Sequence, residues 1–221
     1  MEVAAQAQPG DCVVLLHGLA RTARSMNPMA RRLTAAGYRV VNLSYPSTRY
    51  PIEQLATKAL DRSLQQCSQD AVNIHFVTHS MGGILLRQYL VENRLPRLGR
   101  AVMLAPPNHG SEAVDRLGDL PGFFLINGPA GLQLSTAPDS VPNSLGPVTF
   151  PLGVIAGTVN YNPVLEGMLP KPHDGKVSVA SAKVEGMADF ITVERTHSFI
   201  MNAPEVIEQT LAFLADGRFL R

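Results

Sequence analysis

Two kinds of apolar pattern alternate along the chain. Short runs rich in aliphatic, β-branched and aromatic residues recur near 12 to 17, 39 to 43, 74 to 78, 101 to 104, 152 to 156 and 189 to 193. Their length and spacing predict strands. Cys12-Val13-Val14-Leu15-Leu16 is apolar at every position, as a strand buried on both faces requires. Between these runs the apolar residues fall at helical spacing, over about 26 to 36 with Gly37 as a C-cap, 52 to 66 with Pro51 at its start, 81 to 93, and 204 to 215. Strand, helix, strand repetition of this kind predicts an α/β fold with six strands in a mainly parallel sheet and helices on both faces.

One interval breaks the alternation. Residues 106 to 150 are rich in Pro, Gly, Ser and Asn and hold one apolar patch, Phe123-Phe124-Leu125-Ile126. An excursion of that length between the fourth and fifth strands is expected to serve function or to form small helices packed on the sheet.

Composition narrows the class. With 221 residues, 45% hydrophobic and 17% charged, the chain suits a single α/β domain over residues 1 to 221 and carries no mark of disorder. A net charge of +1 argues against a nucleic-acid surface. Arg21, Arg24, Arg31 and Arg32 form the one basic concentration and read as a solvated helix face. No apolar stretch is long enough for a transmembrane helix. No H-E-x-x-H or paired C-x-x-C spacing occurs, so neither a metal nor an organic cofactor is expected. Cys12, in a strand, and Cys67, near a helix end, are expected as free thiols. Met1 to Gly10 lacks the basic start and apolar centre of a signal peptide, so a cytoplasmic address is expected, with a removed leader as the route to the periplasm or beyond.

The candidate chemistry centres on Ser80. In V-T-H-S-M-G-G, residues 77 to 83, this serine stands between a strand-like and a helix-like run, where a tight turn pushes its hydroxyl out at the carboxyl edge of the sheet. The usual pattern at such an elbow is G-x-S-x-G, and Thr78 stands in place of the first glycine. Its β-branched side chain must therefore use space that a neighbouring element leaves free. Upstream, the first strand ends in His17-Gly18-Leu19-Ala20. Acyl transfer places negative charge on the former carbonyl oxygen, and the backbone amides of Leu19 and Met81 are the candidate oxyanion donors.

These features resemble the lipase and esterase branch of the α/β-hydrolase superfamily, in particular small bacterial lipases whose fold begins directly with the His-Gly strand. The resemblance covers nearly the whole chain and rests on H-G-L-A at 17 to 20, T-H-S-M-G-G at 78 to 83, P-P-N-H-G-S at 106 to 111 and D-G-K-V-S-V-A-S-A at 174 to 182. It implies a lid or cap at 106 to 150, and the chain order serine, acid, histidine. His197 follows the last strand and precedes the final helix, the family's place for the general base. His75 reads as a core histidine, His79 as pointing away from the nucleophile, and His109 and His173 as loop residues open to substrate contact. Among the acids between Ser80 and His197, namely Asp115, Asp119, Asp139, Glu166, Asp174, Glu185 and Asp189, the Asp-Gly-x-Val-Ser context puts Asp174 first. Asp139 and Asp189 are the runners-up, Asp189 with a side chain that could instead face solvent.

The resulting expectation is a serine hydrolase of carboxylic esters with an apolar acyl group, using Ser80, Asp174 and His197 through an acyl-enzyme. An acyltransferase or thioesterase on the same residues, or a non-catalytic binding protein of the same fold, are the alternatives. Nothing in the sequence fixes the oligomeric state.

Overall fold

Both faces of the sheet are covered, which is why the first strand can be apolar throughout. The computed structural model describes residues 9–67 and 69–221; of the opening stretch Met1 to Gly10, residues 1 to 8 lie outside the described residues. In chain order the elements are β1 (Cys12–Leu16), α1 (Asn27–Ala35), β2 (Arg39–Asn42), α2 (Ile52–Leu64), β3 (Ile74–His79), α3 (Met81–Glu92) and β4 (Leu98–Leu104). There follow α4 (Glu112–Leu117), α5 (Phe123–Leu132), α6 (Val141–Ser144), β5 (Leu152–Gly157), α7 (Pro163–Glu166), α8 (Val179–Ala182), β6 (Asp189–Val193) and α9 (Pro204–Asp216).

The six strands form one sheet in the order β2-β1-β3-β4-β5-β6, and every neighbouring pair is parallel. Alternation along the strands sorts the core into two layers. Cys12, Val14, Leu16, Phe76 and Met103 meet α2 and α3, whereas Val13, Leu15, Val77, Val102 and Ile155 meet α1 and α9. Helix α3 packs on the sheet and also touches α2, so its Ile84, Leu85 and Leu86 are all buried. The chain leaves β1 toward β2 on one side and returns to β3 on the other. That reversal opens a crevice at the carboxyl ends of β1 and β3, the general ligand position in such sheets.

Strand β4 begins at Leu98, three residues earlier than its apolar run, across an irregularity in its pairing with β3 between Ile74 and Phe76. The excursion from 106 to 150 contains α4, α5 and α6. Its patch is split: Phe123 faces inward to the crevice, while Phe124, Leu125 and Ile126 are 55%, 87% and 66% exposed.

Arg87 on α3 is buried, and its guanidinium donates to the carbonyl and side-chain oxygens of Asn108 at 2.9 and 3.1 Å and to the Gly146 carbonyl at 2.7 Å. Desolvation pushes its pKa down to about 10, so it stays charged at neutral pH. Asn108 in turn donates to the Ala182 carbonyl at 2.9 Å.

Two expectations are corrected. Cys12 and Cys67 are not free thiols but form a disulfide, with Cα atoms 5.9 Å apart. The amino end of β1 faces the layer covered by α2, and α2 ends beside it, a proximity that depends on helix docking rather than on local sequence. Asp189 does not face solvent either. It is buried at the amino end of β6, accepting from the amides of Phe190 and Phe219, both at 2.8 Å, and from Arg221 at 2.6 Å. Burial alone would raise its pKa, but these donors outweigh it and hold the carboxyl below its ordinary value. Among the described residues no helix is long and apolar enough to cross a membrane.

Candidate active site

The turn from β3 into α3 forces Ser80 into φ +52°, ψ −125°. Such a conformation costs a non-glycine residue about 1–3 kcal/mol, which surrounding structure must supply. Here the Ser80 amide donates to the Leu104 carbonyl at 2.9 Å, and the Ser80 carbonyl accepts from the Gly83 amide at 3.0 Å. The corner also demands room. A β-carbon at Gly82 would lie 2.5 Å from the Leu16 carbonyl oxygen. One at Gly83 would meet Met103 Sδ at 3.0 Å and Thr78 Oγ1 at 3.2 Å, so the glycine that Thr78 replaces is answered by a second glycine across the turn. The Thr78 hydroxyl is fully buried and has no hydrogen-bond partner.

The loop after β5 and the loop after β6 bring Asp174 and His197 to this corner. His197 Nε2 lies 2.9 Å from Ser80 Oγ, and His197 Nδ1 lies 2.8 Å from Asp174 Oδ2. With Asp174 accepting from Nδ1–H, Nε2 is left as the acceptor for the serine hydroxyl. The other Asp174 oxygen accepts from the amides of Lys176 and Val177, both at 2.9 Å. The two loops are joined once more through the main chain, where the His197 amide donates to the Asp174 carbonyl at 3.0 Å. All three side chains are buried to within a few percent.

Leu19 lines the same cavity as Ser80, and Met81 follows Ser80 in the chain. Met81 opens α3, so its amide belongs to the first turn, where no intrahelical acceptor exists. Among the described residues the Leu19 amide has no protein acceptor. Its loop is held by neighbours: the Ala20 amide donates to Ser47 Oγ at 3.1 Å, and Ala20 adopts φ +52°. His17 anchors the same loop, stacking on Tyr45 with ring centroids 3.9 Å apart, donating from Nδ1 to the Gly18 carbonyl and accepting at Nε2 from the Tyr45 amide. Tyr45 Oη donates back to the His17 carbonyl. Desolvation holds the His17 imidazole below its ordinary pKa, against the opposing Gly18 bond.

The remaining sequence candidates lie elsewhere. His75 is a core histidine, 3.3 Å from Asp11, and His109 bonds Asn143 at 2.9 Å. His173 is buried beside Gly175 in the acid loop. Asp115 holds Thr136, Glu166 pairs with Lys171, and Asp119, Asp139 and Glu185 are exposed. Asp189 lies at the opposite end of the sheet from Ser80.

His79 departs from its expectation. It does not point away from the site: Nε2 donates to the His197 carbonyl at 2.9 Å and the two rings lie 5.0 Å apart. Desolvation, with repulsion from His197, keeps it well below its ordinary pKa. Sequence reasoning also missed Gly157 at the end of β5, where a β-carbon would lie 2.8 Å from that of Asp174. A glycine closing an apolar strand just ahead of the acid loop was the available signal.

Ser80 and His197 open into a cavity of about 220 Å³, walled mainly by apolar side chains including Leu19, Val114, Leu117, Phe123 and Leu134. Arg21 and Lys176 also line it. A larger hollow, about 370 Å³, lies at the amino ends of the strands around Asp11, His75 and Arg100. There His75 bonds Asp11 and the Arg100 amide, and Arg100 bonds the last carbonyls of α9, so these three side chains are spent on the fold. Among the described residues no three His, Cys, Asp or Glu side chains are grouped to hold a metal ion.

Comparison with known proteins gives a consistent picture. A family model described as alpha/beta hydrolase family matches residues 13–206. The chain is similar in structure to the Bacillus licheniformis lipase BlEst2 in its propeptide form, with TM-score 0.72 and 17% identity over 98% of this chain and 53% of that one. Against the mature form of that lipase the TM-score is 0.67 at 18% identity, over 96% of this chain and 93% of the other. A metagenomic carboxyl esterase, MGS0156, gives 0.67 and 17% over 97% of this chain and 74% of that one. The chain thus spans about half of the propeptide form, at 53%, and nearly all of the mature form, at 93%. At such identities the shared property is the fold. No curated protein matches the chain in sequence.

Proposed function

The chain belongs to the alpha/beta hydrolase family, and from that premise we propose that it hydrolyses carboxylic esters through an acyl-enzyme on Ser80. One observation carries this reading: the unbroken hydrogen-bond chain from Asp174 through His197 to Ser80 Oγ, at 2.8 and 2.9 Å, ending at the mouth of an apolar cavity. The structural likeness to a lipase and to a carboxyl esterase supports it.

As Ser80 Oγ bonds the ester carbonyl carbon, His197 Nε2 takes the hydroxyl proton and the carbonyl electron pair moves onto oxygen. Asp174 steadies the imidazolium. The amides of Leu19 and Met81 receive the oxyanion, each such donor being worth about 3 to 4 kcal/mol. Collapse breaks the bond to the alcohol, which leaves with the proton from His197. Water then attacks the acyl-enzyme by the same route and restores the serine. The substrate is a small ester with an apolar acyl part, seated against Leu19, Val114 and Phe123. Residues 106–150 act as the cap over that part, through α4 and α5.

The Cys12–Cys67 disulfide supports an oxidising compartment, outside the cytoplasm, as the place of work.

A fluorophosphonate probe tests the central point. Labelling of the native protein and its loss in Ser80→Ala are expected; labelling that survives Ser80→Ala refutes the nucleophile. A series of nitrophenyl esters graded in acyl length then ranks substrates, and no turnover on any of them refutes the ester reading.

A further inference from the structure

The cavity beside Ser80 holds two positive charges and, among the described residues lining it, no carboxylate. Arg21 and Lys176 both line it. Neither side chain has an ion-pair or hydrogen-bond partner among the described residues. Two acids of the surrounding loops are committed elsewhere: Asp174 to His197 and the turn amides, Glu112 to Ser178. Two like charges at the mouth of a small apolar cavity, with no carboxylate lining it among the described residues, favour a ligand group of opposite charge there.

Their placement is built into the machinery. Arg21 stands two residues beyond Leu19, on the loop pinned by the Ala20–Ser47 bond. Lys176 stands two residues beyond Asp174 and is fixed on both sides of its main chain: its amide donates to Asp174 Oδ1 at 2.9 Å, and its carbonyl accepts from Ser111 Oγ at 2.7 Å. The two charges sense each other and the reacting corner. Lys176 is exposed as a residue, yet desolvation at the mouth, and then Arg21, push its ammonium below the ordinary value, with Asp174 opposing. After burial and the neighbouring His197, both cations also oppose protonation of His79.

We propose that Arg21 and Lys176 select esters that carry an anionic oxyacid group, a carboxylate or phosphate, a few atoms from the scissile carbonyl. This rests on the ester-hydrolase reading and departs from the sequence expectation that Arg21 belongs to a solvated helix face. The apolar wall takes the chain while the two cations take the charge at its end or on the departing alcohol.

Two matched pairs of esters test it. On the acyl side, 4-nitrophenyl hemiglutarate is compared with 4-nitrophenyl valerate, after subtraction of the spontaneous rate. On the alcohol side, a 1-acylglycerol 3-phosphate is compared with the monoacylglycerol of the same chain. The expected result is a kcat/KM preference of about tenfold for the anionic member of one pair, which also locates the charge. That preference shrinks several-fold in Arg21→Gln or Lys176→Gln, reverses in Lys176→Glu, and weakens in the native enzyme as salt rises from about 20 to about 500 mM. Phosphonate labelling of Ser80 reports whether each variant is folded, and the salt series needs no variant. Turnover of neutral esters without a preference in either pair overturns this inference and leaves the ester-hydrolase reading standing. Equal losses on charged and neutral members in the variants also overturn it, since they indicate a general effect on catalysis. No turnover and no labelling removes both readings.

Discussion

Thr78 is admitted to the elbow by Gly83, whose missing side chain leaves the space next to Thr78 Oγ1 and Met103 Sδ open. The fit is steric only, because the hydroxyl finds no hydrogen-bond partner. Thr78→Val keeps the shape and removes an unsatisfied polar atom, so it should stabilise the protein by about 1 kcal/mol. Gly83→Ala should destabilise by about 1–3 kcal/mol through overpacking. Urea unfolding curves measure both, and a destabilised Thr78→Val would show that the hydroxyl is satisfied after all.

Gly157 gives Asp174 its position, since a β-carbon there would stand 2.8 Å from the Asp174 β-carbon and 2.4 Å from the Arg195 carbonyl oxygen. Gly157→Ala is expected to lower kcat/KM for nitrophenyl esters by about 10²-fold, the usual penalty for misplacing a reacting group by an ångström. On an Asp174→Ala background the same change should add almost nothing to the loss. Full additivity would mean that Gly157 acts by another route.

His79 holds the main chain of His197 rather than its ring, through the 2.9 Å bond to the carbonyl. On the proposed mechanism its loss should therefore loosen the base, His197, without deleting it. His79→Ala is expected to reduce kcat by about tenfold with little change in KM, and His79→Gln, whose amide can donate to the same carbonyl, should recover part of it. Equal kcat values for the two variants would refute the anchoring role.

Three buried imidazoles make stability depend on pH. Desolvation is the leading cause that holds His17, His75 and His79 below the ordinary 6.5 in the folded state. Below that value the unfolded chain binds protons that the folded one refuses, so stability rises with pH there and is complete above it. As pH falls below 6.5, each group withdraws about 1.4 kcal/mol per pH unit until its folded-state pKa is reached. Urea unfolding at successive pH values between about 7.5 and 5.5 should show that decline, and His79→Gln should make it shallower. A flat profile would mean that these rings protonate in place.

The disulfide closes a loop with a sequence separation of 55. On the chain-entropy argument, reduction should lower the unfolding free energy by about 4 kcal/mol. Thermal unfolding with and without dithiothreitol, followed by thiol alkylation to prove reduction, reads this directly. An unchanged midpoint in fully alkylated protein would count against it.

The six strands and the helices α1, α2, α3 and α9 were legible because continuous apolar runs and helical spacing survive without tertiary context. The elbow was legible despite Thr78, because the strand-to-helix switch around Ser80 is a local signal. The compensating role of Gly83 was not, since it depends on which way the Thr78 side chain turns. Asp174 could be ranked but not separated from Asp139 and Asp189 by order alone. What distinguishes them is position on the sheet: the Asp189 carboxylate is consumed by amides at the amino end of β6. The disulfide, the bond from His79 and the placement of Arg21 and Lys176 beside the cavity depend on how loops and helix ends dock. Residue type and spacing carry little of that information.

Arg87 grips Asn108 at one stem of the 106–150 excursion and Gly146 at the other. The excursion therefore leaves the sheet and rejoins it at a single guanidinium, which clamps the ends of the loop together whatever lies between. Ala130 and Leu134 tie part of its interior to the core, so the stretches open to exchange are the exposed ones, such as Phe124 to Ile126, provided the two grips are kept. Arg87→Leu would remove the clasp, and with it the freedom to vary one part without unsettling the other.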